Sequence, residues 1–286
     1  AWRIIRKEHI EFILVGQVLP LGTVACIFSY LFKIPYAVMT HAMDVLVPQK
    51  YPRKRWLMKM ILKRALFITA VSHFTKNKLQ DLLGERFFSK IHLISPCPNI
   101  TPMTPMTGPG PFGTGCVSDK KVLLSVGRLV ARKGFDRVIE VLPSLLKDFP
   151  SLMYYIVGNG PERKHLQEKA KGLPVVFLGA LKDEELFRYY SVADVFVMPA
   201  RDMDIDVEGF GIVYLEANAF GKPVIAGKTG GIEDAVVDGI TGFLVDPEDP
   251  CMLQEAIEKI LKDPVLAKKL GEQGRERVKK IFQWKT

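Results

Sequence analysis

After residue 121 the chain repeats one arrangement: a short, mostly apolar run, a turn often marked by glycine, and a helical stretch. The runs fall at 122–126, 152–157, 175–178, 195–198, 224–226 and 242–245. The helical stretches between them fall at 135–149, 161–171, 183–191 and 212–220, and two polar helices end the chain. Runs this apolar have no face to offer to water, so the strands are expected to be buried on both sides. Strands alternating with helices form a parallel sheet with helices packed above and below it. The fold class this dictates is α/β.

Before residue 96 the pattern is looser. A strand is expected at 12–17, a turn at 19–22 and a buried helix at 23–32. The stretch 11–32 is also about as long as a membrane span, but Gln17, Pro20 and Gly22 interrupt it. Turn residues in the middle favour strand, turn and helix over a span. A short strand at 36–40 is led by Pro35 and ended by His41. A basic helix at 53–66 carries Trp56, Leu57, Met60 and Ile61 at helical spacing. Strands are expected at 66–70 and 91–95, and between them Ser72 is placed to cap a helix running to Leu83.

Residues 96–115 hold six prolines, four glycines and no charge, the composition of a linker. The expected domains are therefore 1–117, ending in that linker, and 118–286. The chain opens at Ala1, without Met or a signal peptide. It is read as a piece whose first domain is incomplete at its N-terminus.

The net positive charge belongs to the first part of the chain: residues 1–118 carry a net +10 and the remainder −1. From Val45 to Gln80 there is no acidic residue, and Lys50 to Arg64 contains seven basic ones around an apolar stripe with Trp56. A helix of that composition suits an anionic membrane surface. Nucleic acid is not the expected partner, because aromatic interleaving and nucleic-acid motifs are missing. The four cysteines, Cys26, Cys97, Cys116 and Cys251, are scattered and form no Cys-x-x-Cys pair. They support neither a disulfide scaffold nor a zinc site, and fit a reducing cytosol. The expected location is cytoplasmic, peripheral on the inner face of a membrane.

Chemistry is concentrated in the turns of the second half. Gly127-Arg128 and Lys133-Gly134 lie just past a strand end, where open parallel sheets bind ligands. An Arg and a Lys five apart there can clamp a diphosphate, one as a planar fork and the other as a point charge. Gly158 and Gly160 form a second strand-to-helix turn, where glycine allows close approach of the backbone to a ligand. Gly209 and Gly211 open a helix; Glu208 lies just before it and Glu216 inside it. Backbone N–H groups at such an opening favour a phosphate. Eight residues of helical rise is about 12 Å, the span between a sugar and a ribose joined by a diphosphate.

The order GRLVARKG, GNGPE, ADVFVMPA, EGFGIVYLEA, GKPVIA with TGG, and DGITGFLVDPED resembles the family 4 retaining glycosyltransferases over about residues 121–284. DVEGFGIVYLEA, after a loop at 200–205, is similar to the phosphatidylinositol mannosyltransferase branch. In the first domain PYAVMTHAMD matches more loosely, and His41 takes the place of a His that the family carries near the donor sugar. The resemblance implies a GT-B fold of two Rossmann-like parallel-sheet domains, 1–117 on the acceptor side and 118–286 binding the nucleotide sugar, here without the first strand and its glycine loop. It implies that Arg128 and Lys133 neutralise the leaving diphosphate. Glu208 would hold hydroxyls of the donor sugar, the backbone of Phe210, Gly211 and Ile212 the distal phosphate, and Glu216 the ribose.

The implied reaction moves a hexose, mannose or glucose, from a nucleotide-diphosphate sugar to a lipid-linked or glycan acceptor with retention. No metal and no cofactor is implied, because Arg and Lys do the work of the ion. Asp202, Asp204 and Asp206 then read as a solvated loop. One alternative is a nucleotide-sugar 2-epimerase of the same architecture, whose extra acid/base carboxylates the sequence does not place. Another is a nucleotide-binding fragment without turnover, against which Arg128, Lys133, Glu208 and Glu216 argue.

Overall fold

The structure, a computed structural model, describes residues 2–99 and 120–283. From position 100 onward the expected linker, with Cys116, lies outside the described residues. The chain forms two compact units: residues 1–96 with 204–210, and residues 97–203 with 211–286.

The first unit runs α1 (Trp2–Lys7), β1 (Ile13–Val15), α2 (Leu21–Phe32), β2 (Tyr36–Thr40), α3 (Ala42–Gln49), α4 (Pro52–Arg64), β3 (Ile68–Ala70), α5 (His73–Leu83) and β4 (Ile91–Leu93), with a 3-10 turn at Glu85–Lys90 before β4. The four strands pair in the order β1-β2-β3-β4, all parallel. Register aligns Val15, Val38, Ile68 and Ile91 in one apolar row across the sheet. Met58, Ile61 and Leu62 of α4 and Leu79 of α5 pack into the same core. Proline opens α4, where no intrahelical N–H is needed. Ser72 caps α5 as expected, its Oγ accepting from the Thr75 N–H at 3.2 Å.

Two expectations change in this unit. The region 11–32 is strand, turn and helix, but α2 is not a buried helix. Only Gly22, Ala25 and Cys26 are buried, while Leu21, Val24, Ile27, Tyr30 and Leu31 are exposed. Small residues at helical spacing let one face approach the sheet and leave the large ones outside. In α4, Ile61 is fully buried and Leu57 half-buried, so of the expected stripe only Trp56 and Met60 face outward. No helix among the described residues is long and apolar enough to cross a membrane.

The second unit runs β5 (Val122–Val126), α6 (Phe135–Asp148), β6 (Met153–Val157), α7 (Arg163–Lys169), β7 (Val175–Gly179), α8 (Asp183–Val192), β8 (Val195–Met198), α9 (Ile212–Ala219), β9 (Val224–Gly227), α10 (Ile232–Ala235), β10 (Gly242–Val245), α11 (Pro250–Lys262) and α12 (Pro264–Ile281). All six strands are parallel, in the order β10-β9-β8-β5-β6-β7. The chain starts in the middle at β5, winds outward to β7, then returns to the other side of β5 and winds out to β10. That is the doubly wound dinucleotide-binding order. Strands β5, β8 and β9 are buried at every position, as their composition required. Helix α6 buries Phe135, Val138, Ile139, Val141, Leu142 and Leu145 along one stripe. Asp249 and Asp263 cap α11 and α12 through their carboxylates, each followed by proline.

Candidate active site

In a doubly wound sheet the binding crevice lies outside the carboxyl ends of the strands, where the winding reverses. Here that is the boundary of β5 and β8, paired at Leu123–Val195 and Leu124–Phe196. Gly127 and Arg128 leave β5 at this point, and the chain turns through a 3-10 segment, Ala131–Lys133, before α6. Lys133 folds back over its own strand. Its Nζ lies 3.8 Å, and its Cε 3.6 Å, from where a Cβ on Gly127 would stand, with the Met198 Sδ at 3.8 Å from the same point. A Cβ at 127 would therefore meet the Lys133 side chain in ordinary van der Waals contact. Arg128 is exposed beside it.

Gly158 and Gly160 also lie at strand ends, but what approaches them closely is protein. A Cβ at 158 would overlap the Gly127 carbonyl, and one at 160 the Leu129 carbonyl. Backbone bonds lock the two loops: Gly127 N–H to Val157 at 2.9 Å, Leu129 N–H to Asn159 at 3.0 Å, and Glu162 N–H to Leu129 at 3.0 Å. The last of these ties Glu162 to the loop, and α7 begins just after it at Arg163, not at 161.

Helix α9 starts at Ile212, with Gly211 as its left-handed cap at φ 84°. The Tyr214 hydroxyl donates to the Met198 carbonyl at 2.8 Å and ties this start to the end of β8. Glu208 therefore precedes the helix by four residues, and the 12 Å estimate from continuous helical rise does not apply. Glu216 lies one turn into α9 and is half-buried. Tyr190 donates to its Oε2 at 2.8 Å, and Tyr190 itself is fully buried and stacked on Phe220 at 5.5 Å. Burial pushes the Glu216 carboxyl above its usual range, and the Tyr190 bond opposes that rise. Nothing in the sequence around Glu216 marks Tyr190 as its partner.

His41 and Glu208 belong to the first unit. His41 caps α3: its backbone N–H donates to Asp44 Oδ2 at 3.4 Å, and its ring Nδ1 lies 3.2 Å from the same oxygen. The hydrogen bond to Asp44 raises the His41 pKa above its ordinary value, with burial opposing. Gly209 lies against the start of α3, 3.4 Å from the Ala42 Cβ as judged from an ideal Cβ at 209. The segment Asp204–Phe210 thus brings Glu208 to the same end of α3 as His41, with Val207 and Phe210 buried around it. A cavity of about 570 Å³ opens beside α3, lined by Leu19, Pro20, Thr23, Asp44, Val47 and Leu57 among others.

The aspartates of this loop have protein partners. Asp202 accepts from the Thr229 hydroxyl, and Asp204 pairs with Lys50. Among the described residues no group of three His, Cys, Asp or Glu side chains is arranged to hold a metal ion.

Comparison with known proteins covers nearly the whole chain. Residues 111–277 match the profile of "Glycosyl transferases group 1", and residues 1–100 that of "Glycosyltransferase Family 4". The chain is 34% identical, over 99% of its length and 76% of the relative's, to a GDP-mannose-dependent alpha-(1-6)-phosphatidylinositol monomannoside mannosyltransferase of Mycolicibacterium smegmatis. It is 31% identical, over 98% of its length and 75% of the relative's, to a GDP-mannose-dependent monoacylated alpha-(1-6)-phosphatidylinositol monomannoside mannosyltransferase of Corynebacterium glutamicum. Among solved structures, sucrose-phosphate synthase from Thermosynechococcus elongatus aligns with a TM-score of 0.80 at 28% identity, over 99% of this chain and 72% of that one. Anabaena HepE in complex with UDP aligns with a TM-score of 0.81 at 21% identity, over 98% of this chain and 77% of that one.

Proposed function

This chain belongs to the group 1, family 4 glycosyltransferases of GT-B fold, and from that premise we propose that it transfers mannose from GDP-mannose to a phosphatidylinositol mannoside-like lipid. The observation that carries the donor and acceptor is its 34% identity, along nearly its whole length, to an enzyme named for that reaction. In the transfer, the bond from the anomeric carbon to the diphosphate oxygen breaks. A bond to the acceptor hydroxyl oxygen forms on the same face, and the hydroxyl proton leaves with the diphosphate.

Negative charge grows on the diphosphate as its bond to the sugar breaks. Arg128 and Lys133 meet that charge, so their stabilisation is largest in the transition state. They stand in for a metal ion, and no cofactor is needed beyond the donor. Glu216 holds the ribose, and the backbone at Phe210, Gly211 and Ile212 the distal phosphate. Glu208 holds donor sugar hydroxyls, and His41, oriented by Asp44, stands by the sugar. The acceptor enters the first unit through the cavity beside Asp44.

The basic helix α4 docks the enzyme on anionic lipid, as a peripheral protein at the cytoplasmic face. Arg53, Lys54, Arg55, Lys63 and Arg64 are exposed, together with Trp56. Lys50, also exposed, pairs with Asp204.

The test is transfer from radiolabelled GDP-mannose, UDP-glucose and UDP-galactose to phosphatidylinositol monomannoside in mixed vesicles. The proposal expects a labelled lipid product from GDP-mannose alone, with the configuration of the donor. Product from UDP-glucose in its place would overturn the donor, and label only in free mannose would overturn the acceptor.

A further inference from the structure

The loop that carries Lys133 is held from one side by the loop after β8. Gly134, the cap of α6, has no room for a side chain because the Pro199 carbonyl occupies the position of its Cβ. The Arg201 N–H donates to the Arg132 carbonyl at 2.8 Å. The Arg201 side chain then reaches over the turn, and its Nη1 donates to Asp136 Oδ2 at 3.0 Å in the first turn of α6. Both side chains are largely buried, 12% and 19% exposed. A polar cavity of about 60 Å³ adjoins them, lined also by Glu162 and His165. The 3-10 turn Ala131–Lys133 is thereby enclosed between a backbone bond at Arg132 and an ion pair at Asp136.

We propose that Arg201 and Asp136 are a positioning pair for the transfer reaction, fixing the turn that holds the Lys133 ammonium at the carboxyl end of β5. The inference rests on the reading of Lys133 as a phosphate-binding residue. An ammonium group on a four-carbon stem has many rotamers, and the position of its backbone decides whether its charge meets the diphosphate. The two loops leave the two strands where the winding reverses, so a bond between them sets the width of the crevice at that point. Arg suits a largely buried pair better than Lys, because its guanidinium is more weakly hydrated than an ammonium and stays charged. Neither residue touches the substrate in this account. They act through Lys133.

The experiment measures GDP and GMP affinity by calorimetry in the full chain and in Arg201→Met, Asp136→Asn, Lys133→Ala and the double variant Arg201→Met/Lys133→Ala. Asp136→Asn keeps the shape of the pair if Arg201→Met folds poorly. The proposal expects GDP binding to fall about tenfold in Arg201→Met and Asp136→Asn, about 1.4 kcal/mol, with GMP affinity unchanged. In the Lys133→Ala background the Arg201 change should cost nothing further. Equal weakening of GDP and GMP, or losses that add in the double variant, would make the pair merely structural and overturn the proposal. GDP binding that Lys133→Ala weakens but Arg201→Met and Asp136→Asn leave intact would overturn the pair alone. GDP binding indifferent to Lys133→Ala would overturn the reading of Lys133 and the pair with it.

Discussion

Replacing Tyr190 by Phe removes one hydroxyl and leaves the ring stack with Phe220 in place. The hydroxyl donates to Glu216 at 2.8 Å, inside a region that burial already makes unfavourable for a carboxylate. A hydrogen bond to a charged group contributes about 1.5–3 kcal/mol, and about half of that to a neutral one. Tyr190→Phe is therefore expected to cost about 2 kcal/mol where Glu216 is ionised and about 1 kcal/mol where it is protonated, so the cost grows as pH rises. The sign for the parent protein follows from the raised carboxyl. Glu216 binds its proton more tightly folded than unfolded, so its contribution to stability falls as pH rises from the ordinary carboxylate value through the raised one. Tyr190→Phe removes the effect that opposes the rise, lifts the Glu216 pKa further and steepens that fall. The assay is urea denaturation of parent and variant at about pH 7 and about pH 4, with GDP affinity measured at neutral pH, which should also drop as Glu216 loses its orientation. A stability difference that is the same at both pH values, or larger in acid, would refute the reasoning.

Asp44→Asn should lower the His41 pKa toward its ordinary value, read by NMR titration of the imidazole; the parent's extra stability from this pair is complete below the unfolded histidine pKa and is lost as pH rises through the raised folded one. Gly158→Ala should destabilise the protein by about 2 kcal/mol or more without any ligand present, because its Cβ meets the Gly127 carbonyl; thermal denaturation of the apo protein checks it. Val47→Trp should fill the cavity beside α3 and raise the KM for the lipid acceptor while leaving GDP affinity unchanged. Changing Arg53, Lys54, Arg55 and Lys59 to Gln should abolish sedimentation with anionic vesicles at low salt and leave GDP affinity intact.

The sheet of the second unit was legible because its strands have no polar face. Val195–Met198 and Gly242–Val245 stand where the apolar runs stand, and the order of strands and helices follows from their alternation. Helix α3 was hidden, since Pro48 sits inside it and its cap is a histidine that reads as the end of a strand. The outward apolar face of α2 was hidden too, because an apolar helix does not say which of its faces meets the sheet. Gly158 and Gly160 were recognised as close-approach positions, but a sequence does not say whether the approaching group is a ligand or another loop.

The partners that tune the site lie far away along the chain. Tyr190 is 26 residues from Glu216, Arg201 is 65 from Asp136, and Asp204 is 154 from Lys50. Local spacing carries no trace of such pairs. Asp204–Phe210 joining the first unit is another effect of tertiary packing that local spacing does not show.

The central claim is that the carboxyl ends of β5 and β8 with the start of α9 bind the nucleoside diphosphate of a mannosyl donor. Calorimetric titration of the full chain with GDP, UDP and GMP, repeated on Lys133→Ala and Glu216→Ala, tests it most directly. The account predicts that GDP binds more tightly than UDP and GMP, that Lys133→Ala erases the preference of GDP over GMP, and that Glu216→Ala weakens both guanine nucleotides. GDP binding no more tightly than GMP, or both variants binding GDP as the parent does, would contradict it.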